Sequence, residues 1–188
     1  MSHFVHPSSI IDDNVKIGHG TKIWHFSHIQ TNASIGENCV LGQNVYVGEE
    51  AFIGNFVKVQ NNVSVYQGVH LENYVFCGPS VVFTNDLNPR SKYPKKGLYV
   101  KTIVKEGATI GANSTIICGV TIGSWSMIGS GAVVTKDIKD YALVVGNPAR
   151  QVGWVCECGF KLNSHLECSH CGKMYIEKDS GLINNSQG

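Results

Sequence analysis

Charge is scarce in this sequence. Only 15% of its 188 residues are Asp, Glu, Lys or Arg, and the formal net charge is +1, a balance that gives no overall attraction to nucleic acid or to an anionic membrane. Any charge that matters must be local. Long apolar runs are also lacking: no stretch approaches the roughly 20 residues needed to cross a bilayer. The opening MSHFVHPSSIIDDN has no basic segment leading into an apolar one, so a soluble, cytoplasmic protein is expected. Leu, Ala and Glu are sparse, whereas Gly is abundant at 21 with many Val and Ile, which favours β structure. Histidine is missing between His70 and His165. The length suits one domain with its own core and a small appendage.

What is present is a period of six. Ile11, Ile17, Ile23, Ile29, Ile35, Leu41, Val47, Ile53, Val59, Val65, Leu71, Cys77 and Phe83 follow one another without an insertion. Four residues after each comes a small or β-branched residue, such as Val15, Ala33, Cys39 or Val63. The position after the aliphatic is often glycine, as at Gly18, Gly36, Gly48 and Gly78. Six matches neither the helical period nor simple strand alternation, but it is the signature of a parallel β-helix of hexapeptides, three to a coil. Both apolar positions point inward and are buried only by the coils above and below. Glycine at the second position is expected to serve a corner of unusual φ. A β-sandwich would need irregular turn spacing.

The register resumes at Val104, Ile110, Ile116, Ile122, Ile128 and Val134. Phe83 to Val104 is not a multiple of six, so residues 84–103 are expected to be a loop thrown outward, and long loops in compact repeats are usually functional or disordered. Its basic residues are Arg90, Lys92, Lys95, Lys96 and Lys101, against one acid, Asp86. A cationic loop suits a phosphate-bearing ligand; it also suits simple solvation.

The repeated aliphatic-Gly-x-x-small-x pattern resembles the hexapeptide acyltransferases. The stretches ATIGANSTIICGVTIG (residues 108–123), GSGAVVTKDI and VVGNPAR (residues 144–150) are similar to their coenzyme-A-binding end. IWHFSHI, VQNNVSVY and VFCGPSVVFTNDLNPR resemble, more narrowly, the N-acetyltransferases that modify the 3-amino group of UDP-2-acetamido-3-amino-2,3-dideoxyglucuronate for O-antigen and related surface polysaccharides. The resemblance covers residues 1 to about 154. It implies a left-handed all-β parallel β-helix, a homotrimer, acetyl-coenzyme A as co-substrate and a UDP-amino sugar as acceptor, with no nucleic acid or membrane partner.

Acetyl transfer to an amine needs a neutral nitrogen, a thioester carbonyl within reach and an exit for a proton. With no histidine near the loop, Asn85 and Asp86 are the candidates: Asn85 to position the amine or hydrogen-bond the thioester, Asp86 as the nearest conventional base. A sugar amine flanked by electron-withdrawing groups is less basic than lysine, so positioning by Asn85 is favoured. Eighteen-residue stacking places Gln67 under Asn85 and Asn44 under Asn62. Asn62 and Gln67, with Arg90 and Lys101, are candidate substrate contacts, although amide ladders also stabilise stacked strands with no ligand involved. At the other end the resemblance assigns cofactor contacts to Gly111, Ala112, Gly129 and Ser130, with Lys136 and Arg150 for phosphates. His25 and His28 face outward, at least four levels from the loop root, roughly 19 Å at one strand spacing per coil, which favours a packing role.

Cys39 and Cys77 fall on interior positions, and Cys118 on an outward one as a free thiol. Cys156, Cys158, Cys168 and Cys171 form C-x-C-G and C-x-x-C-G pairs that read as a structural zinc site. His165 and His170 are possible but unneeded substitutes. The expected division is 1–154 β-helix, 155–176 zinc cap and 177–188 flexible tail. Two other classes compete. A γ-carbonic-anhydrase-like metal enzyme needs paired histidines in the later coils, where His70 stands alone, and an inert scaffold needs no cationic loop. Acetylation of another amino sugar, or of a hydroxyl with a stronger base, also stays open.

Overall fold

The computed structural model describes residues 2–94 and 97–185. Lys95 and Lys96 lie outside the described residues. Among those described there is no helix; short strands wind into three sheets of nine, seven and six strands, parallel except for the last strand of the first. Sheet one begins with Phe4–Val5 and sheet two with Ile10–Ile11, while Lys16–Ile17 opens sheet three. Each strand pairs with one a full coil later: Val59 is opposite Leu41, and Val65 opposite Val47. The structure thus confirms the all-β hexapeptide solenoid, and its interior is the periodic set. Ile23, Ile29, Leu41, Ile53, Val57, Val63 and Leu71 are fully buried in one continuous cluster. Cys77 belongs to it, and burial pushes its thiol up to about 12, which leaves it unreactive.

The role expected for the second-position glycines is corrected. The left-handed residues recur two positions later: Asn14, Gly20, Phe26, Asn32, Asn38, Asn44, Glu50, Phe56 and Asn62 all have φ between 54° and 74°. Asparagine tolerates that conformation best among residues with a side chain. The second-position glycines serve close approach instead, because a Cβ on Gly36 would lie 2.4 Å from Asn55 Oδ1 and 2.6 Å from the Gly54 carbonyl carbon. Gly36→Ala is therefore expected to cost about 1–3 kcal/mol through forced backbone shifts; an unchanged thermal midpoint would contradict this reading. Amides reinforce the same corners. Asn55 Oδ1 accepts from the Glu37 backbone, and Asn73 Oδ1 from the Asn55 backbone, both at 2.8 Å.

The loop is inserted between Val82–Phe83 and Thr102–Val104. Leu71 pairs with Val104 across it and Phe83 with Ile116, so the coils close beneath the excursion as though it were absent. The strand begins at Thr102, two residues earlier than the sequence boundary, because Thr102 is opposite Val69 and its side chain is buried. The loop's base is closed by the Val100 N–H donating to the Asn85 carbonyl at 3.0 Å.

At the far end the coil shortens. Ala142–Val145 pairs in parallel with Met127–Ile128, and Arg150–Trp154 folds back antiparallel upon it, covering the open edge of sheet one. A second, small core follows, made of Tyr141, Cys156, Leu162, Cys168, Tyr175 and Leu182. The expected flexible tail from residue 177 is corrected: Tyr175–Lys178 and Gly181–Asn184 form an antiparallel hairpin. Leu182, 1% exposed, holds it down, and the Asp140 N–H donates to the Ser180 carbonyl. Tyr175 and Leu182 are the two residues by which the otherwise polar hairpin joins the small core.

Candidate functional site

The cavity at the loop root is built by register. His28, Tyr46, Ser64 and Val82 are successive rungs of sheet two, so the residues three further on, Thr31, Glu49, Gln67 and Asn85, form one column along the corner between sheets two and three. Asn85, Gln67 and Glu49 line a cavity of about 720 Å³ together with Tyr46, Tyr66 and Tyr99. Tyr99 comes from the loop's return leg. Gly48 is needed behind them, since a Cβ there would lie 2.7 Å from the Gln67 nitrogen. The Tyr46 hydroxyl donates to Gln30 Oε1 at 2.6 Å. Burial first, then Tyr66, Asp12, Tyr99 and Glu49, raise its pKa, so it stays a protonated donor at neutral pH. Gln67 Nε2 donates to Glu50 Oε2 at 3.3 Å.

Of the sequence candidates, Asn85 and Gln67 are brought together here. Asp86 is not in the lining; its Oδ1 accepts from the Asn88 backbone at 2.8 Å, holding the loop's first turn. Arg90 is exposed and bonds the neighbouring Pro89 carbonyl, and Lys101 lies beside His70, whose pKa is lowered by burial and then by that lysine. Asn62 sits at a different corner, accepting from Asn44 Nδ2 at 3.0 Å, the ladder its spacing implied. Glu49, Gln30 and the three tyrosines were missed. The available signal was that Glu49 shares the eighteen-residue column of Gln67 and Asn85.

Gly111 and Ala112 follow Thr109–Ile110, and Gly129 and Ser130 follow Met127–Ile128, both of sheet one. They stack as expected: a Cβ on Gly111 would lie 2.6 Å from the Ser130 nitrogen. Their corner joins sheets one and two, whereas Asn85 sits where sheet two meets sheet three, so one chain does not bring these groups together. Lys136 and Arg150 share a cavity of about 410 Å³, which Lys139 also lines. Lys139 was missed, although its three-residue spacing from Lys136 is visible in KDIK.

His28 lies three rungs below Val82 rather than four, because the pairs run His28, Tyr46, Ser64, Val82. It is bonded to Asp12 at 3.0 Å, and His25 stacks on His6 with centroids 3.6 Å apart. Neither lines the loop-root cavity. The expectation of an outward Cys118 is corrected: it is 3% exposed and its N–H donates to Thr84 Oγ1. The returning loop crowds this corner, with Val100 Cγ1 3.1 Å from where a Cβ of Gly119 would be.

The four C-terminal cysteines converge, with all Sγ atoms within 4.8 Å of one another. Four thiolates 2.3 Å from one zinc ion would be about 3.8 Å apart, so this donor set fits a closed tetrahedral site. The Tyr175 hydroxyl lies 3.0 Å from Cys156 Sγ, and Lys173 pairs with Glu157 between the knuckles. His170 stacks on Phe160 and is not part of the group.

Residues 14–49 and 101–136 match the bacterial transferase hexapeptide family (six repeats), and residues 32–67 match the hexapeptide repeat of succinyl-transferase. A dTDP-3-amino-3,6-dideoxy-alpha-D-galactopyranose 3-N-acetyltransferase of Aneurinibacillus thermoaerophilus is 52% identical over 85 residues, which is 44% of each chain. Together the family matches mark residues 14–67 and 101–136 as hexapeptide repeats. A galactoside O-acetyltransferase of Lactococcus lactis is 32% identical over 52% of this chain and 48% of its own. The chain thus spans less than half the length of these curated relatives. Among solved structures, the acetyltransferase domain of PglB from Neisseria gonorrhoeae, in complex with acetyl coenzyme A, superposes with a TM-score of 0.53. It is 21% identical over 80% of this chain and 57% of that one, a likeness of fold.

No helix among the described residues is long and apolar enough to cross a membrane.

Proposed function

We propose that this protein transfers an acetyl group from acetyl-coenzyme A to the amino group of a nucleotide-activated sugar. The observation that carries this reading is Asn85 at the loop root, in one cavity with Gln67 and three tyrosines, on a hexapeptide acyltransferase scaffold. The amine nitrogen attacks the thioester carbonyl, the C–N bond forms, the C–S bond breaks, and the coenzyme thiolate leaves with the proton the nitrogen releases. Asn85 orients the amine or the carbonyl. Asp86, committed to the loop's first turn, is the weaker candidate for accepting the proton. Lys136, Lys139 and Arg150 hold coenzyme phosphates, and Gly111, Ala112, Gly129 and Ser130 expose backbone to the pantetheine arm.

The acceptor read from the sequence is UDP-2-acetamido-3-amino-2,3-dideoxyglucuronate, as a step toward surface polysaccharide. The relative that acts on a dTDP-3-amino-3,6-dideoxygalactose supports the same 3-amino chemistry on another sugar. Because the glycine corner and the Asn85 corner lie apart in one chain, a homotrimer is part of the reading, with two copies supplying the two halves of a site. A cytoplasmic location suits substrates of this kind, and one structural zinc is held by Cys156, Cys158, Cys168 and Cys171. The decisive experiment mixes the protein with acetyl-coenzyme A and a panel of UDP- and dTDP-amino sugars, followed by mass spectrometry. A gain of one acetyl group on a 3-amino sugar is expected. Bound acetyl-coenzyme A with no acetylated sugar or galactoside would refute the acceptor, and acetylated galactoside alone would favour O-transfer.

A further inference from the structure

Among the described residues, the basic side chains of the loop are absent from the lining of the loop-root cavity. Among the described residues Glu49 is the one charged side chain in its lining; the others are amides, phenols and glycines. Arg90, Lys92 and Lys101 all lie outside that lining. The neighbouring acids are accounted for, with Glu50 held by Gln67 and Asp12 by His28 at 3.0 Å. Glu49 is exposed and also lines a smaller adjoining hollow of about 150 Å³ with Asp12, Gln30 and Thr31. Its place in the column is fixed by the coil register, two rungs below Asn85 or about 10 Å along the solenoid axis.

Given the acceptor-site reading above, on which this rests, a hexose whose 3-amino group meets Asn85 extends along that column toward Gln67 and Glu49. An amine arriving as ammonium is attracted to a carboxylate, and a sugar carboxylate is repelled by it. We infer that Glu49 is a specificity-determining residue that selects an amino sugar with a neutral C6 over a uronate. Like charges brought together in one cavity are the kind of repulsive element that specificity exploits. The uronate expected from sequence resemblance is thereby disfavoured within the same reaction class.

The test separates binding from turnover. UDP-2-acetamido-3-amino-2,3-dideoxyglucuronate and the same compound with a C6 hydroxymethyl group are titrated calorimetrically into the full chain without acetyl-coenzyme A. The neutral sugar is expected to bind about tenfold more tightly. Glu49→Gln narrows that gap and Glu49→Arg reverses it. Equal or tighter binding of the uronate by the wild type overturns the inference, as does a gap that survives Glu49→Gln. Failure of both sugars to bind overturns it together with the acceptor site. A neutral sugar that binds with the stated preference but is not acetylated when acetyl-coenzyme A is supplied refutes the transfer reaction and leaves the role of Glu49 standing.

Discussion

Asn85→Ala is expected to lower kcat/KM for amine acetylation about 100-fold, the usual cost of removing one positioned polar group at an acyl-transfer centre. On the proposed reading, in which Asn85 aligns the reacting atoms and Gln67 and the tyrosines contact the sugar, the loss should fall mainly on kcat. The fold should be indifferent: Asn85 shares its backbone carbonyl with Val100, an interaction that alanine retains. Lys92→Ala is the control, since that side chain sits over the Tyr93 ring at 5.7 Å and outside the cavity lining. Steady-state kinetics on both variants, with matched thermal midpoints, decide the matter. Equal activity of the two would remove Asn85 from the mechanism. Asp86→Asn adds a third arm: its carboxylate holds the Asn88 N–H, which an asparagine oxygen can also do, so retained activity is expected.

The second large effect concerns the C-terminal cap. Elemental analysis is expected to find one zinc ion per chain, and Cys168→Ser to abolish that binding and loosen the hairpin Tyr175–Lys178 and Gly181–Asn184. The small core around Cys156, Tyr175 and Leu182 has only six buried members, too few to order the segment without a cross-link. Structural zinc sites in small modules contribute about 10–16 kcal/mol of apparent binding energy. Removal should therefore appear as an early unfolding step, with fast hydrogen exchange confined to residues 155–185. The main solenoid, whose core is the separate cluster from Ile23 to Val144, should melt later. Acetyl-coenzyme A binding should persist, because the proposed phosphate contacts Lys136, Lys139 and Arg150 all precede the cap. Loss of that binding in a folded, zinc-free protein would show that the cap shapes the cofactor site.

Much of this molecule is legible in one dimension because a solenoid is nearly one-dimensional. Each coil contacts only its neighbours, so an eighteen-residue spacing is also a spatial neighbour. Leu41, Val59 and Cys77 could be placed in one stack from the sequence, and their pairing bears this out. The same arithmetic placed Gln67 beneath Asn85 and Asn44 beneath Asn62. The reading failed where chemistry depends on direction rather than order. Glycine after an aliphatic suggested unusual φ, yet it was steric contact with the next coil that demanded it. Cys118 occupies an outward slot, yet a loop inserted fifteen residues earlier returns over that corner. Glu49 was overlooked because a single acid between glycine and another acid carries no motif.

The solenoid, its sheet register, the position of the excursion and the convergence of four cysteines were all legible in the residue order, since periodicity and short-range spacing are local properties of the chain. Which side chains share a cavity became visible with the folded chain alone. Asn85 and Glu49 stand two coils apart in one column, but Tyr99 reaches them on a loop that returns from outside, and no spacing rule places it there. The same holds for the tail, where burial of Leu182 against Tyr141 and Tyr175 outweighs the polar composition around it. A hexapeptide repeat fixes the heights of residues along the axis; what faces what across a corner depends on the path of the one segment that breaks the repeat.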